Sequence, residues 1–261
     1  MTKKEAQEKF VSDDNAYYSD FEYVTNSQLG LIKKGPEVYI HRKETGEFPM
    51  TQPMMFGDAF HKMILEPDKF EKEFIIRPNL DKRTKIGKAE YEEFMSSIGD
   101  KKTVTSFEAH DLFLMRDKLS ADNTVFTLLN SGGKNEVVDV WEHQLNENLT
   151  IGCKGKFDHL NDHYIIDLKT TRDCSPDAFR ESCEKYGYFR QAAFYVDSQP
   201  EKKDFYFIAI EKKAPYFHRI YKVSEESLER GREEYKLLLY LYAKYVVASG
   251  YDIHNTDICS I

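Results

Sequence analysis

The chain has 261 residues, 41% hydrophobic and 31% charged. That balance is too apolar for a disordered chain and too charged for a membrane protein, and no stretch approaches the ~18 uncharged apolar residues that span a bilayer. Lys+Arg 37 against Asp+Glu 45 leaves a net charge of −8, so holding a polyanion requires the basic groups to be gathered in one place.

No apolar run follows Met1-Thr2-Lys3-Lys4-Glu5, so no secretory leader is expected. Cys153, Cys174, Cys183 and Cys259 form no CxxC pair and no short zinc spacing. That argues against a disulfide framework or zinc ribbon and for a reducing, cytoplasmic location. No repeat or long linker divides the chain. The expectation is one domain over 1–261: a helical opening region about 1–130, a sheet with helices about 131–223, and a C-terminal helix about 224–250.

Asn26-Ser27 is placed to cap a short helix through Ile32, and Pro36 after Gly35 opens the next. Pro53 opens a segment through Leu65, stopped by Pro67, with Phe56, Phe60, Met63 and Ile64 at helical spacing. Lys82, Arg83, Lys85 and Lys88 fall in a loop and a helix start. Thr105-Ser106-Phe107-Glu108 resembles a capping box for a helix through about Leu119. The period then changes. Residues 137–141 are rich in β-branched side chains, and 149–158 and 164–169 read as strands around an Asn161-Asp162 turn. Helical spacing returns, twice, through Val196. Residues 205–210 and 216–223 read as another strand pair, and Ser224 starts a last helix through about Val247. This order predicts an α/β or α+β fold with a mixed sheet.

Asp158, Asp167 and Lys169 are the sharpest chemical feature. Alternation puts Asp167 and Lys169 on one strand face, Ile166 and Leu168 on the other. With the turn centred on 161–162, Asp158 pairs with Ile165 and lies diagonal to Asp167, ~7–8 Å away. A divalent cation fits between two such carboxylates, since metal–oxygen bonds are ~2.0–2.6 Å. Lys169 beside it is placed to position, and help deprotonate, a water. A surface hairpin with an ordinary Asp–Lys pair is the bland alternative. The apolar run Tyr164-Ile165-Ile166 argues against it, because the charges stand where burial should continue.

The pattern Gly155-x-x-Asp158, then Ile165-Ile166-Asp167-Leu168-Lys169-Thr170-Thr171, resembles the PD-(D/E)xK nucleases. Gly57 and His61, followed by Leu65-Glu66-Pro67, resemble the Gly-x-x-x-His box of RecB-type nuclease domains. Tyr188, Gln191 and Tyr195 resemble their Gln-x-x-x-Tyr box. Thr25-Asn26-Ser27-x-Leu29, with Gly35-Pro36, resembles the opening helices of the RecE (exonuclease VIII) C-terminal nuclease domain of phages and prophages. These blocks run from about 25 to 195 in family order.

The resemblance implies a restriction-endonuclease-like α/β core, a central mixed sheet flanked by helices. It implies a metal-dependent exonuclease on linear double-stranded DNA, 5′→3′, in phage-type recombination. His61, Asp158, Asp167 and the Leu168 backbone carbonyl would hold Mg²⁺ or Mn²⁺, with Gly57 letting the His61 helix pack close. Asp158, Asp167, Lys169 and Gln191 would be catalytic. Gln191 and Tyr195 share a helix face and are candidates to bind a DNA phosphate or to hold Lys169 in place, although Tyr195 reads equally well as packing with Phe189 and Phe194. Lys82, Arg83 and Lys85 are candidate backbone contacts, as are Lys88, Lys101 and Lys102; a solvated face is the alternative. Arg172, Arg180 and Arg190 lie nearer the motifs. Glu136 reads as a solvated strand-end residue and stays outside the set, although RecB-type sites sometimes recruit an acid near that place.

The implied partners are duplex DNA ends, a RecT-like single-strand annealing protein and further copies of the chain in a ring, with no membrane. No cysteine precedes Cys153, which disfavours the iron–sulfur branch, and no Walker box is present. The rival readings are a RecB-like structure-specific or single-strand endonuclease, and a DNA-binding subunit with a dead site. The intact His61, Asp158, Asp167 and Lys169 set argues against the last.

Overall fold

The computed structural model describes residues 2–46 and 50–247. Cys259 and positions 248–250 of the expected C-terminal helix lie outside the described residues. An N-terminal arm of two helices, α1 (Lys3–Ser12) and α2 (Asp14–Ser19), opens the chain. Helix α3 (Asn26–Lys34) is capped one residue earlier than the expected Asn26-Ser27. Thr25 is the N-cap, accepting from the Gln28 N–H at 3.1 Å while the Gln28 side chain accepts from the Thr25 N–H at 3.0 Å. Pro36 occupies the first position of α4 (Pro36–Thr45), as expected. Then come α5 (Gln52–Leu65), α6 (Pro67–Glu73), β1 (Phe74–Arg77), α7 (Lys85–Ser97) and β2 (Lys102–Thr105). Strands β1 and β2 form a small parallel pair that the sequence pattern did not announce. Helix α8 (Ser106–Ser120) starts on the expected Thr105/Glu108 capping box, and α9 (Asn123–Asn130) follows.

Strands β3 (Lys134–Asn146), β4 (Leu149–Leu160) and β5 (Tyr164–Thr171) form a meander. Helices α10 (Pro176–Tyr186) and α11 (Tyr188–Val196) then cross over to β6 (Asp204–Glu211), which pairs parallel to β5. Strand β7 (His218–Lys222) closes the five-stranded sheet, order β3-β4-β5-β6-β7. Helix α12 (Glu225–Tyr242) ends in a π-helical stretch, Ala243–Val247. Among the described residues no helix is long and apolar enough to cross a membrane.

The β4–β5 register differs from the expected one. Leu160, not Asp158, pairs with Ile165, and His159 pairs with Ile166. The turn is centred one residue later than assumed, so the register moves by two. Because the side-chain period is two, no residue changes face. Continued one step, this register sets Asp158 opposite Asp167, but the ladder has stopped. There β4 and β5 part, and the Leu168 N–H donates to Asp158 Oδ2 at 2.6 Å instead of to a strand carbonyl.

Both faces of the sheet are covered. Phe157, Ile165, Phe205, Phe207 and Ala209 pack against Leu29, Tyr39, Phe179, Phe194 and Leu239. Ile166, Leu168, Ile208 and Ile210 pack on the other face against Phe60, Leu112 and Met115. Ile165 and Ile166 are both fully buried, in different clusters, so β5 runs through the interior with its acidic residue. Helix α12 buttresses α11 at Gly231, where a Cβ would lie 2.1 Å from the Phe189 carbonyl oxygen. Gly231→Ala is expected to destabilise the chain by about 1–3 kcal/mol, read as a lower urea midpoint at unchanged slope. An unshifted midpoint would show that the helices have room to separate.

Candidate active site

Strand β5 carries Asp167, Leu168 and Lys169 past the point where β4 leaves it. On the α11 side, three groups close a ring. Lys169 Nζ stands 2.5 Å from Asp167 Oδ2 and donates to Gln191 Oε1 at 3.0 Å, and Gln191 Nε2 donates to Asp167 Oδ1 at 2.7 Å. Lys169 Nζ also lies 4.5 Å from the centre of the Tyr188 ring, a cation–π contact. Tyr188 and Gln191 are three residues apart, one helical turn, so α11 offers both to the same lysine. Each Asp167 oxygen thus has one partner, Lys169 on Oδ2 and Gln191 on Oδ1, and a carboxylate oxygen with two lone pairs keeps one for a further partner.

On the other side, α5 brings His61. Its Nε2 lies 2.9 Å from the Leu168 carbonyl oxygen and its Nδ1 3.4 Å from Asp158 Oδ1. A Cβ at Gly57 would meet nothing within 4 Å. Close packing of α5 therefore does not explain that glycine, contrary to expectation.

Glu136 is the residue that sequence reasoning set aside. Rather than being solvated, it is half-buried and falls between the pairs Asn135↔His159 and Val137↔Phe157, across β3–β4 from Asp158. Single ligand atoms of His61, Glu136 and Asp158 all lie within 4.8 Å of one another. Its φ is 52°, left-handed for a non-glycine residue. Glutamate has no preference for that conformation, so the sequence carried no signal beyond an acid next to a strand.

The charges set one another. Burial opposes the His61 imidazolium, but Asp158, then Asp167 and Glu136, outweigh it and raise His61 to about 9. Burial would raise Asp158; His61 first, then Lys169 and the Leu168 N–H, hold it below the usual carboxylate range. Asp167 is pushed up to about 6 by burial, Lys169 opposing and Asp158 adding to the rise. Burial works against charge on Lys169, yet Asp167 and its neighbours raise it above the ordinary lysine value. Lys169 is therefore an ammonium at neutral pH, able to orient a water but not to take its proton. Imidazole nitrogen, carboxylate oxygens and a carbonyl form a donor set suited to Mn²⁺ or Mg²⁺. With the open lone pair on Asp167, these residues fit such an ion.

The other expected contacts scatter. Tyr195 is mostly buried, its ring edge-on to Phe157 at 4.6 Å and tight against Gly155, yet it also lines the cleft that opens at Lys169. Arg190 is also buried, tied to Asn26 and Glu234 at 2.8 Å each, so it is structural. Lys82, Arg83 and Lys85 lie at the start of α7. Arg83 is paired with Asp81 at 2.9 Å and Lys82 sits over the Tyr91 ring, while Lys85 is exposed. No hydrogen bond or ion pair among the described residues joins them to the cluster. Lys102 pairs with Asp58 at 2.6 Å. A cleft of about 650 Å³, lined by Lys33, Lys34, Lys185 and Gln191, opens at Lys169. A second, about 430 Å³, brings Arg172 and Lys212 to the same lysine.

The sequence matches, over residues 26–249, the family described as a PDDEXK-like domain of unknown function (DUF3799). The chain belongs to this family. Its fold is shared with a crystal structure from Eubacterium rectale described as a "Putative exonuclease": TM-score 0.62, 16% identity, 92% of this chain and 86% of that one covered. The structure of SSO0001 aligns with TM-score 0.30 and 15% identity over 58% of this chain and 83% of its own. No curated protein matches. The PDDEXK-like assignment and the fold together support a nuclease.

In this PDDEXK-like site, His61 can ligate a cation only after losing a proton, and Asp167 only when ionised. Both conditions improve as pH rises from about 6 towards about 9. Mn²⁺ affinity, measured by calorimetry, is expected to rise across that window with proton release. A flat profile would remove His61 from the ligand set.

Proposed function

We propose that this chain is a metal-dependent deoxyribonuclease that hydrolyses phosphodiester bonds of linear double-stranded DNA from an end. The observation that carries the reading is the closed Asp167–Lys169–Gln191 ring set against His61 and Asp158 where β4 and β5 part. His61, Asp158, Asp167 and the Leu168 carbonyl would hold Mg²⁺ or Mn²⁺, with Glu136 within reach. Such an ion supplies Lewis-acid polarisation of the phosphoryl oxygens and a lowered pKa for bound water.

The chain's own residues do the rest. Lys169, charged and held by Asp167 and Gln191, orients the attacking water and faces the charge that develops on phosphorus. Gln191 fixes both partners through one amide. Lys34 and Lys185, beside Lys169 in the larger cleft, offer cations to the DNA backbone, with Lys33 next to them paired to Glu234 at 2.8 Å. The description of the Eubacterium rectale structure favours exonuclease over endonuclease activity. The resemblance to RecE-type domains extends the proposal to 5′→3′ polarity, a ring-shaped homo-oligomer threaded by DNA, and a RecT-like annealing partner in phage-type recombination. A ring loads at an end, and it lets a chain of net charge −8 hold DNA by lining one channel with its lysines.

The test is digestion of linear duplex labelled at one 5′ or one 3′ end, with a covalently closed circle as control. Rapid loss of the linear form, release of the 5′ label first and an untouched circle are expected. Efficient cutting of the circle would make the protein an endonuclease. Asp158→Asn and Lys169→Met are each expected to lower turnover at least ~10²-fold, since both act on the transition state. Of the two, only Asp158→Asn should also weaken metal binding. Equal weakening by Lys169→Met would make the lysine structural.

A further inference from the structure

Lys156 figures in no expectation above, yet it stands directly behind the cluster. Its Nζ lies 2.7 Å from Glu136 Oε2 and 3.2 Å from Asp14 Oδ1. Asp14 opens α2, so this pair of contacts runs from the N-terminal arm to the candidate metal centre. The other Asp14 oxygen is 3.8 Å from the Nζ of Lys62, the neighbour of His61 on α5. One aspartate of the arm thus touches lysines next to two of the proposed ligands.

The arm is firmly seated. Phe10 and Tyr17 pack with Val138 and Val140, and Gln7 Nε2 donates to the Val138 carbonyl at 3.1 Å. Lys154, fully buried on β4, donates to the carbonyls of Tyr17 and Asp20 at 2.7 and 3.0 Å and pairs with Asp20 Oδ1 at 3.1 Å. Both arm helices precede residue 26, where the family match begins.

We propose that Lys156 is a positioning residue for Glu136, braced by Asp14, and that through this chain of contacts the N-terminal arm sets how tightly the site holds its divalent cation. The proposal rests on reading the cluster as a metal centre. Glu136 occupies a left-handed backbone conformation that is strained for a non-glycine residue, so its direction must be held by its surroundings. Lys156 holds it by one carboxylate oxygen, Oε2, which leaves Oε1 for a ligand role. Asp14 restrains the ammonium in turn, so that it does not swing into the site as a competing cation.

The test is calorimetric Mn²⁺ binding to the full chain without DNA. Lys156→Met keeps the aliphatic stem and removes the charge; it is expected to weaken binding about tenfold, the scale seen when a metal ligand loses its outer partner. Lys156→Arg should restore most of that loss. Asp14→Asn should cost about threefold, as for a partly exposed ion pair. Glu136→Gln weakens binding alone, and adding Lys156→Met to it should bring no further loss, because the two residues act through one contact. Thermal unfolding of each variant separates folding from binding. A folded Lys156→Met with wild-type affinity overturns the proposal, as do additive losses in the double variant. A wild-type chain that binds no Mn²⁺ overturns the metal-centre reading and this proposal with it.

Discussion

The 2.6 Å hydrogen bond from the Leu168 N–H to Asp158 Oδ2 is where strand pairing ends and the site begins. In an extended strand, one residue presents its N–H and C=O to the same neighbour. Leu168 shows both to the edge that β4 has vacated. Buried backbone groups of this kind need partners. Asp158 takes the N–H, and the His61 ring meets the C=O at 2.9 Å. Two of the side chains proposed as ligands, Asp158 and His61, are the ones that satisfy the parted strands, so the opening in the sheet and the cluster within it form together.

Charge balance follows from the same burial. Isolated carboxylates cannot be carried into a sheet interior without compensation. Each acid here has its own cation: Asp158 has His61, Asp167 has Lys169, and Glu136 has Lys156. Three negative groups face three positive ones. A further double charge enters such a set most readily when a proton leaves. His61 is the cation that can release one, because the two lysines are both held above their ordinary values.

Much of this was legible in the sequence because it is local. Capping boxes, Pro36 and Pro53, the alternation through Ile165–Lys169 and the one-turn spacing of Tyr188 and Gln191 are short-range signals. The β4–β5 register lies two positions from the expected one because the position of a turn is not encoded as firmly as a strand's face. That error did little harm, since a shift of two preserves the face. What stayed hidden depends on distant segments meeting. Glu136 is drawn in by a backbone conformation that no residue preference announces. Lys156 matters because Asp14, 142 residues away, packs against it. Tyr195 and Arg190 carry polar groups that suggested DNA; tertiary packing buries most of each and leaves both in the wall of the larger cleft.

The division of labour between arginine and lysine bears on how an acidic chain meets a polyanion. Several arginines are spent on the fold: Arg190 is buried on Asn26 and Glu234, Arg232 grips Asp197, and Arg83 closes a turn on Asp81. The planar guanidinium suits such fixed, forked contacts. The cations beside Lys169 are mostly lysines, with flexible stems and strongly hydrated heads. Such groups neutralise phosphates without reading bases. Under the proposed function, a cleft lined this way would hold a phosphate backbone of any sequence, as an enzyme advancing along DNA requires.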